Sequence, residues 1–191
     1  MTDVSHSGIN EADPRNSGII EHFRPHDVTY DYVKARFARA LPRETSEKVE
    51  ARATKFMAEL ATKRLRDPPP LSQPLDQVAD PHYGLSTHPD MVSQLWRLDG
   101  ALPQSCRYVL WGYPALVHPE TGVIFAVGFG TIGIVMRLPP DAREGASASR
   151  PTHPGQTYDI SDAGPEWRFL DQVALSRSCL AAYGYAAVPQ A

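Results

Sequence analysis

The run Asp67-Pro68-Pro69-Pro70, followed by Pro74 and Pro81, constrains this chain more than any other feature. Three consecutive prolines offer no backbone donor, cannot continue a helix and favour the extended polyproline conformation. Whatever lies on either side must fold as its own stretch, with residues 67–86 as a Pro-rich connector. The two sides also differ in composition, since all four lysines, at 34, 48, 55 and 63, precede the prolines.

Residues 27–66 read as a helical segment. Tyr30, Val33, Phe37 and Ala40 or Leu41 recur at three- and four-residue spacings, the period of an amphipathic helix. Asp27 is its candidate N-cap and Pro42 its stop. A second helix is predicted over 45–65, where Val49, Ala53, Phe56, Met57, Leu60 and Leu65 trace one stripe. Glutamates crowd its start and Lys63, Arg64 and Arg66 its end, which complements the helix macrodipole. Residues 1–26 show no sustained period and read as a flexible N-terminal tail, with Ile19, Ile20 and Phe23 as a patch able to pack.

The α+β body, residues 87–191, opens with a helix that starts at Pro89, a residue suited to a first helical turn. Short apolar runs follow at 106–111, 115–117, 123–127 and 132–138, separated by the turns HPETG and GFGT. Short strands with short turns make an antiparallel meander. Further short segments near 158–160 and 165–170 and a last helix over 170–182 complete the body. The expected fold class is α+β: an N-terminal helical pair, a Pro-rich connector and a small antiparallel β-meander flanked by helices. In its hydrophobic alternation alone, the stretch GYPALVHPETGVIFAVGFGTIGIVMRL resembles the small TfoX-like and YjbR-like domains; no site residue follows from that likeness.

Chemistry-bearing residues are sparse. His88-Pro89-Asp90 and His118-Pro119-Glu120 repeat one theme, in which proline holds the preceding histidine extended. His118 with Glu120, and His88 or another histidine of the 82–88 region, are the candidate catalytic residues of a hydrolase, metal-dependent if those loops meet. The spacing of zinc helices is absent, however, so turn and helix-start roles are the simpler reading and no metal site is assigned. GFGTIG has the glycine spacing of a dinucleotide loop, but the strand-like Ile134-Val135-Met136 follows it where a helix is required, so no cofactor is expected. Cys106 and Cys179 share no metal or redox spacing and read as buried thiols.

Charge points towards a partner. Residues 34–66 carry ten Lys or Arg and four Glu, a net +6 that leaves −9 for the rest of the −3 chain. A solvated helix face is the usual explanation of such a run. As a docking surface it suits an acidic protein, or the chain's own acidic body, better than nucleic acid, because no aromatics interleave the charges as single-strand binding requires. Trp167-Arg168-Phe169 places an arginine between two aromatics, the composition of an interface hot spot. Arg36, Arg39, Trp167, Arg168 and Phe169 are therefore the candidate partner-binding residues. The opening MTDVSHSGIN lacks a basic and an apolar leader region, and the longest apolar stretch is broken by glycines. The expectation is a cytoplasmic, non-catalytic interaction protein (an inhibitor, immunity or regulatory factor of bacterial type) that needs neither membrane nor nucleic acid.

Overall fold

A computed structural model describes residues 8–25, 29–62, 70–78, 85–153, 156–171 and 173–189. The chain is α+β and divides into two compact units, one of them the helical segment within 25–68. In that smaller unit, α2 (Tyr30–Ala40) and α3 (Ser46–Thr62) form a helical hairpin. Asp27, read as the first cap, lies outside the described residues; the Thr29 hydroxyl accepts from Tyr32 N–H at 3.2 Å and caps α2 instead. Val33, Val49 and Ala53 are buried between the helices, and the Phe37 and Phe56 rings meet edge to face.

The larger unit is a six-stranded antiparallel sheet between two layers. Its strands are β1 (Ser72–Pro74), β2 (Arg107–Leu110), β3 (Tyr113–Val117), β4 (Ile124–Phe129), β5 (Gly133–Arg137) and β8 (Trp167–Phe169), in that spatial order. A separate ribbon pairs β6 (Ser149–His153) with β7 (Gln156–Asp159). On one face, α4 (Pro89–Asp99) and α5 (Leu175–Ala187) bury Val92, Leu95, Cys179 and Ala182 against Leu116, Phe125, Ala126, Ile134 and Met136. The pairing of β3 with β4 slips at Leu116/Val117, so Phe125 is an extra residue; it joins Ala126 on that face where strict alternation would separate them. The predicted α5 began too early: Val173 is solvent-exposed, and the buried stripe is Leu175, Cys179, Ala182 and Ala186. No helix among the described residues is long and apolar enough to cross a membrane.

The other face corrects the reading of a flexible tail. Residues Pro14–Phe23 form α1, whose Ile19, Ile20 and Phe23 are buried among Val127, Phe129, Val135 and Trp167. The cause is local: the Asp13 carboxylate accepts from Arg15 N–H, and Pro14 supplies a preset first turn. Asp13 also holds the Arg15 guanidinium at 2.7 Å, which keeps its carboxyl below the usual aspartate range. Part of the connector is corrected too, because β1 lies inside it as an edge strand, the one place in a sheet where Pro74 costs no ladder bond.

Helix α1 packs on the turn Ser161–Ala163 with nothing between Gly18 and the Ala163 carbonyl. A Cβ at position 18 would overlap that oxygen. Gly18→Ala is therefore expected to lower stability by about 1–3 kcal/mol, although alanine is the better helix former. A thermal melt decides it; a raised midpoint would show that α1 does not approach the turn this closely.

Candidate functional site

The repeated His-Pro-acid sequences turn out to be one device used twice. His88 is the N-cap of α4, its Nδ1 accepting from Asp90 N–H at 3.3 Å. His118 stands at the start of the β3–β4 turn, its Nδ1 accepting from Glu120 N–H at the same distance. In each case the imidazole works as a turn acceptor two residues upstream of the donor, in the manner of an Asx turn. His118 is buried with its ring 4.6 Å from Tyr183, while the Glu120 side chain points to solvent.

The structure does not bring these histidines together. His118 N–H donates to Val123 O, just before β4, and His88 N–H donates to Gly130 O, just after it. A six-residue strand separates the two bonds, roughly 20 Å at about 3.3 Å per residue. A hydrolytic centre built from His118, Glu120 and His88 is thereby excluded on geometry. His82 lies outside the described residues, and no cluster of three or more metal-ligating side chains occurs among those described. The glycines of GFGTIG serve a hairpin, with Gly130 at φ 53° in the turn between β4 and β5.

Both thiols are sealed in the layer under α4 and α5, and burial pushes each up to about 12. The Asp99 carboxylate adds to the effect at Cys106. A thiol with so high a pKa stays protonated and unreactive through the neutral range. Native protein is expected to release no thiolate to Ellman's reagent at pH 8, and two equivalents after denaturation. Rapid reaction of either cysteine in the folded state would contradict the core described above.

The aromatic edge is corrected by the same kind of observation. Trp167 and Phe169 are buried among Phe129, Val135 and Ala163, so neither offers a surface to a partner. Period-two alternation on β8 turns both rings inward and leaves Arg168 half-buried on the opposite face, its Nη1 donating to Trp167 O at 2.7 Å. Arg36 and Arg39, by contrast, are exposed. With Tyr32 they fall at i, i+4 and i+7 along α2, an exposed stripe on the flank of the buried Val33. The Arg36 guanidinium donates to the Tyr32 hydroxyl at 3.3 Å, so an exposed aromatic does lie among these charges, against the expectation from the sequence that none interleaves them.

Sequence reasoning missed one polar chain. His22, at the end of α1, bonds Asp162 Oδ1 through Nδ1 at 2.6 Å and the Tyr158 hydroxyl through Nε2 at 2.8 Å. A carboxylate–imidazole–phenol chain has the connectivity of a proton relay. Burial, however, pushes the Tyr158 phenol up to about 12 and makes it a poor acid near neutrality. The chain instead ties the C-terminal end of α1 to β7 and the 161–163 turn. The only signal for it was His22 itself, since its partners lie more than 130 residues away in sequence.

Nearby, Trp111 occupies the first position of the two-residue β2–β3 turn with φ 48°, a left-handed conformation rarely adopted by bulky residues. Its indole N–H donates to Ile20 O at 3.1 Å, and Arg24 lies over its ring. The side-chain anchorage to α1 offsets the backbone strain.

No protein-family model matches the chain, and neither a curated protein nor a solved structure resembles it significantly.

Proposed function

We propose that this protein is a non-catalytic interaction module that docks an acidic protein surface through the outer face of α2. The observation that carries the reading is the Tyr32–Arg36–Arg39 stripe, exposed on a helical hairpin that forms a unit of its own. Tyr and Arg dominate interface energetics, and a helix presents them in fixed order. Within the hairpin, Glu50 is bound by Lys34 at 2.6 Å and Glu44 by Arg52 at 2.7 Å. These pairs cancel charge one for one, and over the described residues 34–62 seven Lys or Arg against four Glu keep a basic excess. The thin interior supports the same reading, because two helices alone bury little surface and gain stability from a further packing partner.

An inhibitor, immunity or regulatory factor acting in the cytoplasm fits these features, and the two buried thiols suit a reducing compartment. The test is capture from a nuclease-treated lysate of the source cell, wild type against Arg36→Glu/Arg39→Glu. A stoichiometric protein retained by the wild type, lost from the variant and eluted by salt supports the proposal. The same proteins on both columns, or nucleic acid as the retained species, would overturn it.

A further inference from the structure

At the β1 edge of the sheet, the chain from Pro74 to Val78 and the start of β2 border an open groove of about 570 Å³. Leu75, Val78 and Tyr108 give it an apolar lining, while Ser105, Arg107 and Asp76 contribute polar groups. Arg107 is held from behind. Its Nε donates to Asp99 Oδ2 at 2.7 Å, its Nη2 donates to Trp96 O at 3.2 Å, and its guanidinium lies over the Trp96 ring. Asp99 is itself buried, and its other oxygen accepts from Cys106 N–H at 2.6 Å.

A clasp between α4 and β2 explains the buried carboxylate. It does not require the arginine to keep about a third of its side chain accessible, at 36%, on the wall of an apolar groove. A guanidinium fixed by a buried carboxylate and an aromatic face is the preorganised form in which arginine recognises carboxylates. Asp76, exposed on the same groove, is the complementary group for an ammonium.

We infer that this groove binds a small free amino acid with an apolar side chain. Its carboxylate sits on Arg107, its ammonium is directed towards Asp76, and its side chain lies against Leu75 and Val78. The site belongs to the larger unit and is independent of the proposed docking face on α2.

Three probes with related carbon skeletons test it: L-leucine, 4-methylpentanoate and 3-methylbutylamine, titrated by NMR into the full chain. L-Leucine is expected to shift the Arg107 Nε–H and Ser105 N–H signals saturably. The carboxylate alone should bind roughly tenfold more weakly, and the amine should not saturate. Asp76→Asn, at an exposed position, should reduce leucine to the level of 4-methylpentanoate and leave the latter unchanged. Arg107→Lys should weaken both by about tenfold or more, because the planar fork is lost. No saturable shift by any probe below about 10 mM, or leucine binding unaffected by Asp76→Asn, overturns the inference. If Arg107→Lys does not fold, the ligand series and Asp76→Asn still decide it.

Discussion

Asn16→Ala is expected to remove about 2–4 kcal/mol of stability, because one buried side chain there does the work of a neighbouring strand. Asn16 is fully buried on α1. Its Oδ1 accepts from Ile124 N–H at 2.9 Å, and its Nδ2 donates to Gly122 O at 2.9 Å and Asn10 O at 2.7 Å. Truncation strands the Ile124 donor at the start of β4, at about 1–3 kcal/mol, and removes two bonds to carbonyls that keep a second donor, Gly122 O from Asn10 N–H and Asn10 O from Asp13 N–H. Asn16→Asp sharpens the test. The carboxylate keeps the acceptor but faces two carbonyl oxygens, so this variant should be at least as unstable at pH 7. Its folded-state pKa would be raised, so stability should return as the pH falls and the acid regains a proton to donate. Losses below about 1 kcal/mol in both variants, read by urea unfolding, would mean that α1 is not seated on the sheet as described.

The second large effect lies on β8. Trp167→Ala should cost about 3–5 kcal/mol, since the indole is completely buried in the layer beneath α1. Arg168→Ala, one residue away and half-buried, should stay within roughly 1 kcal/mol. Trp167→Phe supplies the control. The indole N–H has no hydrogen-bond partner among the described residues, so its removal strands no acceptor, and the loss should fall well short of that in Trp167→Ala. A native-like melting temperature for Trp167→Ala would restore the surface reading of this segment.

These two positions also show which parts of the fold are written locally. The meander was legible because its strands are adjacent in sequence and its turns carry Gly or Pro, as at Gly122 and Gly130. The α2–α3 pair was legible because its apolar residues keep the helical period. Helix α1 was not, even though Asp13-Pro14 is a cap followed by a first-turn proline. Ten residues with Asn16 and Gly18 in the middle look like loop until the partners of those residues are known. Asn16 answers to Gly122 and Ile124, and Gly18 to Ala163, both far along the chain.

The candidate sites divide in the same way. Arg36 and Arg39 could be placed from helical periodicity alone, and the structure leaves them exposed. Trp167-Arg168-Phe169 was ambiguous because a three-residue strand gives too short a pattern to show which face is buried. The separation of His88 from His118 depends on their lying at opposite ends of β4, which no local spacing encodes. The Asp99–Arg107 clasp was equally hidden, although its members are eight residues apart, since it joins the end of a helix to the start of a strand.

Docking through α2 is open to one direct measurement. The captured partner, once purified, is titrated calorimetrically into wild type and into Arg36→Glu/Arg39→Glu, with the melting temperature of both chains recorded. The predicted result is a loss of at least 2 kcal/mol in binding, roughly thirtyfold in Kd, with the melting temperature essentially unchanged. An affinity within about twofold of wild type for the charge-reversed protein would contradict it and remove α2 from the interface.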